Sequence, residues 1–199
     1  IEEPTSFTLE NGLIRAVFHT RTCGLISLTD LCTGEDLVCS QRPAGIFRLI
    51  QEDPRLGMTS WRVGRYMTVQ DLLNNVQVTD FRQGELRQSL AYQVRFGDSE
   101  LNVTISLDKG SKQLNYDVKC DWHERSKPGE NIPQLNFYAP LAYGCHAYRY
   151  DVPFGTIERE PLDMDVPGNS WMLGVGEEGR ESQLMVITDS KYGFRGHDH

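Results

Sequence analysis

No apolar run in the 199-residue sequence approaches the roughly 20 residues that cross a bilayer as a helix. The opening residues, IEEPTSFTLE, are acidic where a secretory leader would be basic and then apolar. An excess of positive charge is missing too: 20 Lys and Arg stand against 28 Asp and Glu, a formal net charge of -8, which repels a phosphate backbone. Neither a membrane nor a nucleic acid is an expected partner.

The five cysteines, Cys23, Cys32, Cys39, Cys120 and Cys145, are odd in number and form no CxxC pair, and no His lies at zinc-finger spacing. Free thiols and a reducing, cytoplasmic setting are expected. Asn102-Val103-Thr104 is a glycosylation sequon that would matter only in a secreted protein, and a three-residue match arises often by chance. There is no Gly-x-Ser-x-Gly elbow, no phosphate-cradling glycine loop and no dinucleotide fingerprint, which removes the common nucleophile and nucleotide chemistries.

What is present is period two. Hydrophobic residues make up 39% and charged residues 24%, enough to bury a core, and no linker or repeat divides the chain, so one all-β domain over 1–199 is expected. Leu90, Tyr92, Val94 and Phe96 alternate with polar neighbours. So do Leu101, Val103, Ile105 and Leu107, and then Leu114, Tyr116, Val118, Cys120 and Trp122. The connections GDSE (97–100) and DKGS (108–111) supply turn residues, so this stretch is a three-stranded antiparallel meander. Phe7 and Leu9, the turn pair Asn11-Gly12, and Ile14, Ala16 and Phe18 form a second hairpin. Further strands are expected at 24–31, 45–52, 75–81, 134–141, 171–176 and 183–189. The only helix signal, TVQDLLNNV at 68–76 with Thr68 as its cap, predicts a turn or one helical segment.

Three clusters could carry chemistry. His197-Asp198-His199 has metal-ligand residue types, but in extended chain Asp198 points away from the two imidazoles, and a loop at the end of the sequence accounts for it better. Glu158 and Glu160 share a strand face at about 6–7 Å, near the separation of a retaining glycosidase pair, yet exposed charged strand faces are common. In DWHER, Trp122 beside Asp121, His123 and Glu124 could stack a sugar, but it continues the apolar row from Leu114 and is read as core.

The order of several stretches says more than any cluster. LENGLIRAVFHTRTCGLISLTDLCTGEDL from Leu9, DVKCDWHER from Asp117, FGTIERE from Phe154, VPGNSWMLGV from Val166 and TDSKYGF from Thr188 occur in succession. Together they resemble the C-terminal β-domain of the retaining α-mannosidases of glycoside hydrolase family 38. The resemblance implies a large antiparallel β-supersandwich of the galactose-mutarotase kind. It also implies that zinc, the Asp nucleophile and the acid/base residue belong to an N-terminal α/β barrel absent from these residues. No catalytic or metal residue is then assigned here, and none of the cofactor is held by this piece.

On that resemblance FGTIERE is a structural corner, with Pro153 and Gly155 redirecting the chain, Phe154 and Ile157 anchoring it, and Arg159 pairing locally. The expected partner is an α-mannoside held by the barrel, with a homo-oligomer of the full-length enzyme. The β-domain packs on that barrel, and Lys191, Tyr192 and Arg195 are the candidates for bordering the sugar cleft. Two other readings compete: a freestanding sugar-binding or mutarotase-like sandwich using Trp61, Trp122 and Trp171 for stacking, and an interaction module marked by an exposed apolar patch.

Overall fold

The computed structural model describes residues 5–56 and 63–197. Trp61, Asp198 and His199 lie outside them. The architecture is a large all-β antiparallel sandwich. Strands β1 (Ser6–Glu10), β2 (Ile14–His19) and β3 (Leu25–Asp30) form one meander. Strands β4 (Ile46–Glu52) and β5 (Tyr66–Asp71) pair with each other and, through β4, with the later β10 (Ile132–Tyr138). A four-stranded sheet runs in the order β6 (Val76–Gln83), β7 (Arg87–Phe96), β8 (Ser99–Asp108), β9 (Leu114–Asp121).

A second four-stranded sheet carries the C-terminal third. Its strands are β11 (Cys145–Val152), β12 (Gly155–Arg159), β14 (Trp171–Gly176) and β15 (Met185–Ile187), in the order β12-β11-β14-β15. Two short strands, β13 (Val166–Pro167) and β16 (Gly193–Phe194), pair beside it. Among the described residues, the only helical element is a 3-10 turn at Pro54–Leu56, and no helix is long and apolar enough to cross a membrane.

The alternating pattern puts the side chains where period two requires. Leu90, Tyr92, Val94 and Phe96 of β7, and Leu101, Val103, Ile105 and Leu107 of β8, are all buried and meet Leu9, Ala16 and Phe18 of the first meander in one core. Each such side chain contributes about 1.5–3 kcal/mol of burial. Asn11 joins the two layers: its Oδ1 accepts the N–H groups of Leu13 and Ile14, while its Nδ2 donates to the carbonyls of Asp108 and Ser111 at 2.6 and 2.7 Å. One turn side chain therefore closes its own hairpin and ties it to the next. A smaller core of Cys145, Tyr148, Tyr150, Val166 and Phe194 lies under the C-terminal sheet.

Two expectations are corrected. TVQDLLNNV holds no helical segment: residues 68–71 end β5, Thr68, Val69, Gln70 and Asp71 pairing with Gln51, Ile50, Leu49 and Arg48 of β4. Leu72 is buried, and Asn75 takes a φ of 57° to turn into β6. A free strand edge on β4 outweighs a weak helix signal. The apolar row of β9 is also core only in part. Leu114, Tyr116 and Trp122 pack on the core, but Val118 and Cys120 are exposed, because β9 is an edge strand that runs past the covering layer.

Candidate functional site

Two of the candidate residues, Lys191 and Tyr192, fall at one end of the C-terminal sheet, where β11 ends, β12 and β14 begin and β15 ends. Asp151 organises this end. Its carboxylate accepts the N–H groups of Asn169 (3.0 Å), Ser170 (2.8 Å) and Trp171 (3.0 Å) and the Ser170 hydroxyl (2.6 Å). Burial works to raise its pKa, but these donors outweigh that and hold it down at about 2. The turn so fixed carries the next segment: Thr188 N–H donates to the Ser170 carbonyl at 2.7 Å, and Gly168 N–H donates to the Tyr192 carbonyl at 3.0 Å. Three of the stretches that carry the family resemblance, Phe154–Glu160, Val166–Val175 and Thr188–Phe194, thus meet around one carboxylate.

The hairpin beside Asp151 turns through Pro153 and Phe154, with Val152 paired to Gly155. Phe154 has a φ of 69° and is fully exposed, at 109% of its reference area. A left-handed non-glycine residue costs on the order of 1–2 kcal/mol, and this ring recovers none of it inside the fold. The expected anchoring role of Phe154 and Ile157 is therefore corrected, since Ile157 is also 40% exposed. The corner is held instead by the ladder between β11 and β12 and by Arg159, which donates to the Pro167 carbonyl and lies over the Tyr150 ring at 4.9 Å.

Lys191 and Tyr192 stand exposed at this same end, Tyr192 at 64%. Arg195 is placed differently: its guanidinium bonds Asp165 at 2.7 Å and Asp163 at 3.3 Å and lies 3.7 Å above the Tyr66 ring, whose hydroxyl donates to Asp165. It joins β5 to the C-terminal segment from a largely enclosed position. Two open grooves, of about 520 Å³ beside Gln51, Glu124 and Asn131 and about 400 Å³ beside Asp36, Gln41 and Arg180, are not lined by any of these three residues.

Glu158, Glu124 and Trp122 of the other clusters fasten the fold. Glu158 takes two N–H bonds from Arg149 across the ladder, at 2.6 and 2.8 Å, and Glu160 lies exposed beyond the end of β12. Glu124 accepts from Asp98 N–H and the Ser99 hydroxyl, pinning the β7–β8 turn, while Asp121 and His123 form a 3.0 Å pair. Trp122 packs 6.1 Å from Phe96 against the core. His197 offers its carbonyl to the Tyr148 hydroxyl. Among the described residues no three His, Cys, Asp or Glu side chains come together as a metal site.

Asp151, Asn169 and the outward Phe154 escaped sequence reasoning. The available signal was Pro153 followed by the single residue that precedes β12, the pattern of a turn whose third position needs positive φ.

This is a large antiparallel β-sandwich with a loop rim fixed at one end of its C-terminal sheet. The model of the glycosyl hydrolases family 38 C-terminal domain matches residues 9–199, and the chain belongs to that family. No curated protein matches it.

Proposed function

We propose that the chain is the non-catalytic C-terminal β-domain of a retaining, zinc-dependent α-mannosidase acting on terminal α-mannosides of glycans. The family match across residues 9–199 is the observation that carries this reading. The side chains agree with it. Of the one carboxylate pair suggested by spacing, Glu158 and Glu160, Glu158 is engaged across the ladder by Arg149.

In this reading zinc and the two catalytic carboxyl groups belong to another part of the enzyme. This chain contributes a rigid rim, with Lys191 and Tyr192 at the border of the sugar cleft and Arg195 holding that border to β5. The free thiols of Cys23, Cys32, Cys39 and Cys120 support a cytoplasmic setting.

The test is hydrolysis of an aryl α-mannoside by the 199-residue chain and by the protein that the complete gene encodes, with and without a zinc chelator. Turnover confined to the complete protein and abolished by chelation is expected. Turnover by the 199-residue chain alone would overturn the reading.

A further inference from the structure

Seven of the thirteen large hydrophobic side chains exposed among the described residues lie between Phe154 and Tyr192, so apolar exposure gathers on the C-terminal sheet and its loops. Within that region the rim at Asp151 is distinct, because aromatic and polar groups stand there together. Phe154 is wholly exposed on a strained hairpin tip, and Tyr192 is exposed on the neighbouring loop. The side chains of Asn169, Lys191 and Tyr192 are exposed and make no hydrogen bond to any described residue. Asn169, Lys191 and Tyr192 stand on backbone that Asp151, or the turn it caps, holds in place, and Phe154 is at the tip of the hairpin that leaves β11 just after Asp151.

We propose that this rim is a sugar-contact surface, on which the C–H face of a hexopyranose ring packs against Phe154 while Asn169, Lys191 and Tyr192 meet its hydroxyl groups. The proposal deepens the mannosidase reading and rests on it for the class of sugar. A pyranose has an apolar face and a girdle of hydroxyls. An aromatic ring suits the first, and the second needs groups that both donate and accept, which an amide and a phenol supply, with the ammonium adding donors.

A protein partner fits less well. Burying this rim against protein would strand the Lys191 ammonium and the Asn169 amide unless each found a partner, and lysine is depleted from interface cores. Sugar binding also accounts for the left-handed phenylalanine: strain that the fold does not repay persists where a ligand uses the geometry.

These side chains stand open to solvent, so binding to a single sugar is expected in the millimolar range, about 1–10 mM. The experiment is a titration of the isotopically labelled 199-residue chain, whose own residues form two buried hydrophobic clusters, with methyl α-mannoside and an α-linked mannobiose. Amide shifts are followed by NMR.

Saturable shifts confined to 151–156, 168–171 and 188–193 are expected. Phe154→Gly should weaken binding about tenfold or more while leaving the unfolding midpoint equal or higher, because glycine relieves the positive φ. Tyr192→Ala should weaken binding without unfolding the chain. No localised shift up to about 50 mM sugar would overturn the proposal, as would undiminished binding by Phe154→Gly. The two readings fail separately: loss of the parent reading shows in the hydrolysis assay, and loss of the sugar contact shows only in these amide shifts.

Discussion

Asp151 accepts both the backbone N–H and the hydroxyl of Ser170, at 2.8 and 2.6 Å, so a single carboxylate fixes the turn into β14 from the end of β11. Asp151→Ala removes these acceptors and leaves several N–H groups competing for water in a partly enclosed site. A fall of roughly 5 °C in the thermal midpoint is expected, with faster amide exchange at residues 169–171. Unchanged exchange there would show that the ladder alone holds the rim.

Acid should act through the same group and through one other. Asp30 is held down at about 2, first by the bond from Lys112 and against burial, with help from Cys32 N–H and the Ser182 hydroxyl. Asp151 also lies at about 2. An unfolded aspartate titrates near 4. Both native values lie lower, so their stabilisation is fully present above about pH 4 and is lost as pH falls towards 2. Denaturant midpoints measured from pH 6 to pH 2 should drop within that window, and Asp30→Asn should flatten the drop.

The Arg149–Glu158 pair is nearly half exposed on both sides and should contribute little. Glu158→Gln is expected to change stability by less than about 1 kcal/mol. In the complete protein it should leave kcat on an aryl α-mannoside unchanged. A fall of several orders of magnitude would return Glu158 to the chemistry.

Tyr116 carries a buried hydroxyl with no hydrogen-bond partner among the described residues, packed against Gly45. Tyr116→Phe removes an unsatisfied group and keeps the ring that packs on Phe137. A stability gain of about 1 kcal/mol is expected in urea unfolding. A loss would reveal a bound water or an unseen partner.

Position along the β8–β9 pair should separate core from edge. Ile105→Ala, at a fully buried position, should cost about 2–5 kcal/mol. Val118→Ala, on the exposed run of β9, should cost less than about 0.5 kcal/mol.

The meander at 90–107 and the hairpin around Asn11-Gly12 could be read directly, because alternation and turn residues are local properties. The row from Leu114 to Cys120 misled at its far end, since alternation says which side a residue takes and not whether another layer covers that side. The segment 68–76 misled because pairing with β4 is nonlocal. The rim was legible only as separate family stretches: nothing in the spacing of Asp151, Asn169 and Thr188 shows that one aspartate caps the turn on which the 188–192 segment rests. The outward Phe154 ran against the ordinary expectation that an aromatic at a corner anchors it.

Ser182 donates to Asp30 across 152 residues of chain, in a buried contact that also receives Lys112. A ribosome releases the first meander long before residue 182 emerges, so its apolar face waits for β7 and β8 and its last turn waits for the final third of the domain. Such late closure slows folding and leaves unsealed strand edges during synthesis. Nascent chains halted before Ser182 should therefore be protease-sensitive and prone to chaperone capture, and the cell's outlay on making this domain is set largely by its final stretch.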